Sequence, residues 1–205
     1  MNIAVIGAGN VGSTLAIAFK KAGHHVIFGV REPAGDFKGK EIADKENLQY
    51  FQIPQAAAQA EVIVICAPGN TAHEVAQQLG DVKDKIIIDT MNSAFKKPAH
   101  YETSAEAILD NCNATDVAKC FNTTGVENMA DPVYNGQRID MYVAGSSTKA
   151  KSIATQLAKD IGFGEVYDFG GNDKFALIEQ FALCWINLAI VQKTGRNMAF
   201  KLLRR

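Results

Sequence analysis

A glycine-rich turn near the amino terminus is the part of the sequence whose residue types and spacing most directly suggest chemistry. Residues 7–12 read Gly-Ala-Gly-Asn-Val-Gly, a GxGxxG pattern that directly follows the apolar run of residues 2–6. In such a turn Gly7 permits the sharp reversal, Gly9 lets a pyrophosphate approach the backbone, and Gly12 lets helix and strand pack closely. The N–H groups and dipole of the following helix favour an anion. In this context the pattern predicts a dinucleotide site, against the alternative of a turn with no ligand.

The end of the second predicted strand indicates which dinucleotide would bind. Enzymes that use NAD usually carry Asp or Glu there, about 20 residues beyond the glycines, to bind the ribose 2′-OH. This chain has no acid at positions 29 and 30, and Arg31 follows. A guanidinium can bind a 2′-phosphate bidentately, so Arg31 favours NADP(H) over NAD(H), against the alternative of a solvated surface arginine. Lys38 or Lys40 would add positive charge, whereas Glu32 counts against this interpretation unless it faces solvent.

Candidates for the reacting end of the dinucleotide lie where later strands end. Hydride transfer from a nicotinamide requires two rings held at the right distance in a dry pocket, so no residue is assigned as catalytic. Asn122 would donate a hydrogen bond to the nicotinamide carboxamide or to a substrate carbonyl, or would instead form a local turn, and both remain open. No His, Cys, Asp or Glu cluster has metal-ligand spacing, so no metal is predicted. The pocket candidates are Met91, Asn92, Asn122 and Thr123.

The elements that must position these residues alternate in type along the chain. Short apolar runs predict strands at 2–6, 25–30, 62–67, 85–89, 117–121, 139–144 and 165–169. Because helix-length segments separate them, we expect an α/β fold with a Rossmann-type, doubly wound, mainly parallel sheet. Thr71 and Glu74 fit a helix capping box, and Ser147 or Thr148 begins a helix that ends near Gly162.

The last predicted helix, over 173–194, is apolar on every face, which predicts burial in the core or against a second subunit. We therefore expect a dinucleotide-binding domain over 1–171 and a helical extension over 172–205, packed on that domain or on the other subunit of a homodimer. The apolar run 182–191 is too short to span a bilayer, so no membrane segment is expected.

Composition restricts the class of partner and the compartment. The 205 residues suit one domain, and Lys+Arg 21 against Asp+Glu 22 leaves a net charge of -1. No global basic field exists to hold nucleic acid or an anionic membrane. The 4 cysteines form no CxxC pair and no targeting segment is evident, which predicts free thiols in the cytoplasm.

Four segments, in this order and spacing, resemble the NADP oxidoreductase family that includes the NADPH-dependent reductases of the deazaflavin coenzyme F-420. The cytoplasmic oxidoreductase domain of the six-transmembrane metalloreductases is similar. The resemblance covers nearly the whole chain. The segments are Gly7 to Gly12, Phe28-Gly29-Val30-Arg31, Cys66-Ala67-Pro68 and Lys119-Cys120-Phe121-Asn122-Thr123.

The resemblance implies NADPH lying across the carboxyl ends of the strands. Gly9, Asn10 and Val11 would hold the pyrophosphate and Arg31 the 2′-phosphate. Ala67 and Pro68 would pass beside the adenosine half, and Asn122 would lie near the nicotinamide. The archaeal deazaflavin reductases carry a histidine where this chain has Asn122, whereas the metalloreductase domain has Phe-Asn, as here.

The expected function is therefore an NADP(H)-dependent oxidoreductase that exchanges a hydride with a small acceptor of the flavin or deazaflavin type, with FMN as one candidate. Two alternatives remain. One is an NADP(H)-binding redox sensor without turnover. The other is a relative of the beta-hydroxyacid dehydrogenases or pyrroline-carboxylate reductases whose substrate pocket is completed by dimerisation.

Overall fold

The computed structural model describes residues 1–93 and 96–205. Its main sheet has eight strands in the order β10-β9-β6-β5-β4-β1-β2-β3, and β7 and β8 form a separate hairpin. The strands are Asn2–Ile6 (β1), His25–Val30 (β2), Gln49–Gln52 (β3), Val62–Ile65 (β4), Ile86–Asp89 (β5), Asp116–Cys120 (β6), Val133–Tyr134 (β7), Gln137–Arg138 (β8), Met141–Ala144 (β9) and Val166–Asp168 (β10).

Helices connect the strands and cover both faces of the sheet. They are Asn10–Lys21 (α1), Lys40–Lys45 (α2), Ile53–Gln59 (α3), Ala72–Gln78 (α4), Ser104–Asn111 (α5), Val126–Ala130 (α6), Thr148–Asp160 (α7) and Phe175–Ile186 (α8). A 3-10 turn, Asn172–Lys174, precedes α8, and a π-helical turn, Asn187–Val191, extends it.

The sheet is parallel from β1 to β6 and reverses at β9, which pairs antiparallel with β6. β10 pairs parallel with β9, so β9 and β10 both run antiparallel to the other six strands. The sheet order departs from sequence order between β1 and β4, which is the topological switch point where Rossmann folds bind dinucleotides. The predicted doubly wound, mainly parallel fold is confirmed.

Alternate strand residues enter two different cores, as a sheet covered on both faces requires. Val5 and Phe28 pack with Leu15 and Phe19 of α1, whereas Ile63 packs on the opposite face with helices α3, α4 and α5. A third cluster joins α8 to β9 through Tyr142, Ala144, Phe175 and Ile178. Through this cluster the carboxyl-terminal segment packs on the sheet.

Three local predictions were wrong or incomplete. Thr71 caps nothing with its side chain, because residues Gly69–Thr71 already form a 3-10 turn in which its hydroxyl donates to the Pro68 carbonyl at 2.8 Å. The short strands β3, β7 and β8 were not predicted. The strand expected at 62–67 ends at Ile65. By contrast, Ser147 does cap α7, since its Oγ accepts from the Ala150 N–H at 3.0 Å.

The carboxyl-terminal helix is buried within the chain on one face only, and burial of its other faces against a second subunit stays a prediction. Leu177 is 52% exposed, Ile190 49% and Val191 59%, so an apolar stripe faces away from the chain. The continuous helical run Asn172–Val191 has 20 residues, which is long and apolar enough to cross a membrane by length and composition alone. The estimate from residues 182–191 was therefore too short. A core helix passes the same test, and the opposite face of this one is anchored by buried Phe175, Ile178 and Ala182.

Candidate functional site

A cavity of about 750 Å³ opens at the carboxyl ends of β1, β2 and β4. The turn between β1 and α1 forms its floor, and the segment after β2 forms one wall. Seven of the residues predicted to bind the cofactor line it: Gly7, Gly9, Asn10, Val11, Arg31, Ala67 and Pro68. Gly12 and Asn122 do not line it.

The three glycines of the turn have distinct surroundings. Gly7 has φ +99, a left-handed conformation that favours glycine, and an added Cβ would lie 2.8 Å from the Cys66 carbonyl oxygen. At Gly12 a Cβ would lie 1.9 Å from the Gly7 oxygen. At Gly9, by contrast, a Cβ would meet nothing within 4 Å, so the backbone there borders open space where an anion can approach. The turn therefore fits the pyrophosphate of a dinucleotide.

The segment after β2 brings two cations to the same cavity. Arg31 and Lys38 line it, together with the carboxylates Glu32 and Asp36. Among the described residues Arg31 makes no ion pair, so its guanidinium is free to bind an anion. Lys40, the other candidate, instead donates to the Gly35 carbonyl at 3.2 Å and does not line the cavity.

Gly39 fixes this segment against the glycine turn. Its φ is +91, and an added Cβ would lie 2.3 Å from the Ala8 carbonyl oxygen. The segment after β2 therefore lies directly against the turn that forms the cavity floor, with room for no side chain at Gly39. The sequence carried no signal for this contact beyond the glycine itself.

Asn92 and Asn122 form a pair at the ends of β5 and β6. The Asn122 amide nitrogen donates to Asn92 Oδ1 at 3.0 Å and to the Ile178 carbonyl at 3.5 Å. Asn122 Oδ1 is buried and has no hydrogen-bond partner among residues 1–93 and 96–205. Since both amide hydrogens have protein acceptors, Asn122 offers an acceptor, and the expectation that it donates to the ligand needs correction.

The backbone conformation of Phe121 directs Asn122 out of the strand. Phe121 has φ 64, which is strained for a bulky residue, and such strain concentrates at functional sites. Its fully buried ring packs edge-on against Phe19 at 5.9 Å and Phe163 at 6.4 Å between centroids. This aromatic packing holds the turn that ends β6.

Met91 and Thr123 lie beside the asparagine pair but face the interior. Met91 is 3% exposed and belongs to the core on the α4 and α5 face. The Thr123 hydroxyl lies 3.8 Å from the Met141 sulfur and is also buried. Of the four pocket candidates, only Asn92 and Asn122 combine proximity with side-chain polar groups directed at each other.

A buried ionic cluster under these residues escaped the sequence analysis. Lys119 Nζ contacts Asp89 Oδ2 at 2.5 Å and Glu179 Oε1 at 2.9 Å, and it donates to Ser104 Oγ at 2.8 Å. Burial alone would lower the pKa of Lys119, but the two carboxylates outweigh it and raise the pKa. The sequence did contain one signal for this cluster, namely a charged residue inside an otherwise apolar strand or helix.

The thiols and histidines near the cavity offer little chemistry. Burial raises the pKa of Cys66 and of Cys120 to about 12, which keeps both thiols protonated and inert. His73, in the first turn of α4, has a buried Nδ1 without a partner in the part of the chain that the structure describes, but it is absent from the cavity lining. Residues 1–93 and 96–205 contain no group of three potential metal ligands.

The sheet order, the switch point and the glycine turn define a Rossmann-type dinucleotide-binding protein. The model of the family "NADP oxidoreductase coenzyme F420-dependent" matches residues 2–93. The F420-dependent NADP reductase of Methanothermobacter thermautotrophicus is 30% identical over 98% of this chain and 94% of its own length. Its counterpart in Methanothermobacter marburgensis is 28% identical and covers 98% of both chains.

Solved structures agree with this assignment. A protein from Arthrobacter sp. FB24, proposed as an F420-dependent NADP-reductase, superposes with a TM-score of 0.86 at 26% identity over the full length of both chains. The chain therefore belongs to the coenzyme F420-dependent NADP oxidoreductase family. It is an NADP-dependent oxidoreductase, and NADP(H) is its cofactor.

Proposed function

We propose that this chain transfers a hydride between NADPH and a deazaflavin of the F420 class. The full-length match to reductases of that name is the observation that carries the choice of acceptor. FMN, whose ring system is similar, is the second acceptor to test.

Each predicted binding residue is assigned one role in this proposal. The turn containing Gly9, Asn10 and Val11 holds the pyrophosphate through backbone N–H groups at the start of α1. Arg31 and Lys38 bind the 2′-phosphate, and Ala67 with Pro68 borders the adenosine half. NADPH, when bound, supplies the hydride.

The remaining half of the dinucleotide must extend along the sheet. Because the cavity at β1, β2 and β4 takes the adenosine half, the nicotinamide is directed over the ends of β5 and β6. There Asn122 Oδ1 accepts a hydrogen bond from the carboxamide of the nicotinamide. The asparagine pair orients the ring, and burial around Phe121 excludes water from that side.

Assembly and compartment complete the proposal. The exposed stripe of Leu177, Leu188, Ile190 and Val191 is the surface through which two copies would form a homodimer. The boundary near residue 171 divides the dinucleotide-binding domain from an extension that anchors on β9. The four cysteines are free, as suits the cytoplasm.

The test is a set of turnover assays with NADPH or NADH and each of F420 and FMN, following nicotinamide absorbance. We expect oxidation of NADPH with F420 and much slower oxidation of NADH. Turnover with FMN alone would move the acceptor to the flavins. Tight NADPH binding without turnover on either acceptor would contradict the proposal and favour the redox-sensor alternative.

A further inference from the structure

The buried cluster of Lys119, Asp89, Glu179 and Ser104 carries a net charge that the binding of NADP(H) does not explain. Asp89 accepts from Lys119, from Ser104 Oγ at 2.7 Å and from the Met91 N–H at 2.8 Å. Glu179 accepts from Lys119 and from the Ser93 N–H at 2.9 Å. Ser104 Oγ also lies 3.4 Å from Glu179 Oε1, so among the described residues both carboxylates contact only hydrogen-bond donors.

One lysine against two carboxylates leaves the cluster with one negative charge in excess. Lys119 and Asp89 are 0% exposed and Glu179 is 5% exposed, so water screens this charge weakly. The nearby surface pair of Lys97 and Glu102 adds no net charge. The excess is therefore a property of the buried interior at the ends of β5 and β6.

The cluster touches the segment that carries the asparagine pair from both sides. Lys119 Nζ donates to the Met91 carbonyl at 2.8 Å, and Glu179 holds the N–H of Ser93, so Asn92 lies between two anchored residues. Lys119 lies on β6, three residues before Asn122, which follows the end of that strand. If the nicotinamide lies over these strand ends, as proposed above, the excess charge lies directly beneath it.

The charge of the nicotinamide ring, which would lie above the cluster, depends on the redox state of the ring. When NADPH gives up a hydride, which is one proton and two electrons, the neutral dihydronicotinamide becomes a cationic pyridinium. The acceptor takes the hydride and, with one solvent proton, becomes reduced. A fixed negative charge nearby favours the cationic product over the neutral reactant.

We propose that Asp89, Lys119 and Glu179 form an electrostatic positioning group that strengthens the binding of NADP⁺ relative to NADPH and so favours hydride donation to the acceptor. This inference rests on the proposed placement of NADP(H), and it adds a role for residues that touch neither the cofactor nor the acceptor. Ser104 completes the group by donating to Asp89 Oδ2.

The experiment compares the dissociation constants of NADP⁺ and NADPH in the wild type and in Glu179→Gln, which removes the excess charge at nearly constant shape. NADPH is followed by nicotinamide fluorescence and NADP⁺ by competition. We expect the ratio of the NADP⁺ constant to the NADPH constant to rise about three- to tenfold. The affinity for NADPH should hardly change. Equal changes for both forms, or an unchanged ratio, would overturn the proposal.

The matched control is Asp116→Asn, which removes one negative charge at the opposite end of β6, where Asp116 pairs with the exposed Lys149 at 3.1 Å. Its ratio should equal that of the wild type. Asp89→Asn is the second variant, should Glu179→Gln fail to fold. The same shift is expected from it.

Binding of 2′,5′-ADP separates this proposal from the proposed function. This ligand lacks the nicotinamide, so its affinity should not change in any of the charge variants. If the wild-type protein did not bind 2′,5′-ADP, the proposed cofactor site itself would be contradicted. Normal 2′,5′-ADP binding with an unchanged NADP⁺ to NADPH ratio would contradict only the role of the cluster. No acceptor is needed for either measurement.

Discussion

Asn92 and Asn122 hold each other by reciprocal hydrogen bonds across the ends of two neighbouring strands. Asn122 Nδ2 donates to Asn92 Oδ1 at 3.0 Å, and Asn92 Nδ2 donates to the Asn122 carbonyl at 2.7 Å. The second bond locks the backbone that follows the strained Phe121, and the first fixes which side of the Asn122 amide remains free. The free atom is an acceptor.

This polarity makes Asn122→Asp an informative substitution. The carboxylate would face Asn92 Oδ1 and the Ile178 carbonyl, two acceptors, in a buried position. We expect a loss of unfolding free energy of about 1–3 kcal/mol, measured by denaturant or thermal unfolding. The matched control is Asn135→Asp in the exposed β7–β8 turn, which should change stability little. Equal effects at the two positions would contradict the hydrogen-bond assignment.

Arg31→Ala should remove the preference for NADPH over NADH. With no acid at positions 29 and 30 to hold a 2′-OH, the preference depends on the cations that face the cavity. We expect NADPH to bind at least about tenfold tighter than NADH in the wild type, and the two to bind alike in the variant. Fluorescence titration measures both.

Lys40→Ala is the control for Arg31→Ala, because Lys40 bonds to Gly35 and does not line the cavity. Its cofactor preference should match that of the wild type. If Lys40→Ala abolished the preference and Arg31→Ala preserved it, the assigned position of the 2′-phosphate would be wrong.

Two glycines of one turn should respond differently to alanine. Gly9→Ala places a methyl group in open space, so we expect normal stability and weaker NADPH binding. Gly12→Ala would put Cβ 1.9 Å from the Gly7 oxygen, so we expect loss of stability before any effect on binding. Thermal unfolding and NADPH titration of both variants distinguish the two outcomes. A stable Gly12→Ala protein would contradict the packing described here.

Thiol reactivity should follow burial. Because burial raises the pKa of Cys66 and Cys120 to about 12, their thiolate fractions remain small through mildly alkaline pH. Cys184 is exposed on α8. We expect one fast-reacting thiol towards an aromatic disulfide reagent at pH near 8, removed by Cys184→Ser. Modification of Cys66 or Cys120 as rapid as that of Cys184 in the folded protein would contradict this prediction.

The same two thiols predict a loss of stability at high pH. Their folded-state pKa values lie above the ordinary value of 9.0, so between 9.0 and about 12 the unfolded chain releases protons that the folded chain retains. The free energy of unfolding should therefore fall as pH rises through that range. Equilibrium unfolding at stepwise higher pH measures it. Cys120→Ala should flatten the dependence.

The parts of the fold that could be predicted from sequence are those with local signals. The glycine turn and the apolar strands β1, β2, β4 and β5 have patterns that burial on two faces dictates. Strand β3 has half-buried and exposed residues and lies at the sheet edge, so its apolar pattern was weak. The direction of β9 depends on a partner 23 or more residues away in sequence and has no local signal.

The candidate site divides in the same way. The glycines and Arg31 have fixed spacing, and the cavity brings them together. The ionic cluster joins residues from β5, β6, α5 and α8, and only three-dimensional proximity reveals that Lys119 meets Glu179. The exposed stripe on α8 could not be located from the sequence, because composition records apolar residues but does not show which side of a helix a neighbour covers.

The antiparallel direction of β9 affects how the binding edge of the sheet is divided between the nucleotide and the acceptor. Because Cys120 pairs with Val143 in antiparallel register, Met141, at the beginning of β9, borders the edge where Asn122 lies. The connector that enters this edge runs through the β7–β8 hairpin. Insertions at the exposed β7–β8 turn would alter the surroundings of an acceptor at this edge, whereas α6, in the same connector, packs on α1, which begins at the nucleotide-binding turn. Changes confined to that β7–β8 turn are therefore the ones expected to alter acceptor choice with least effect on nucleotide choice.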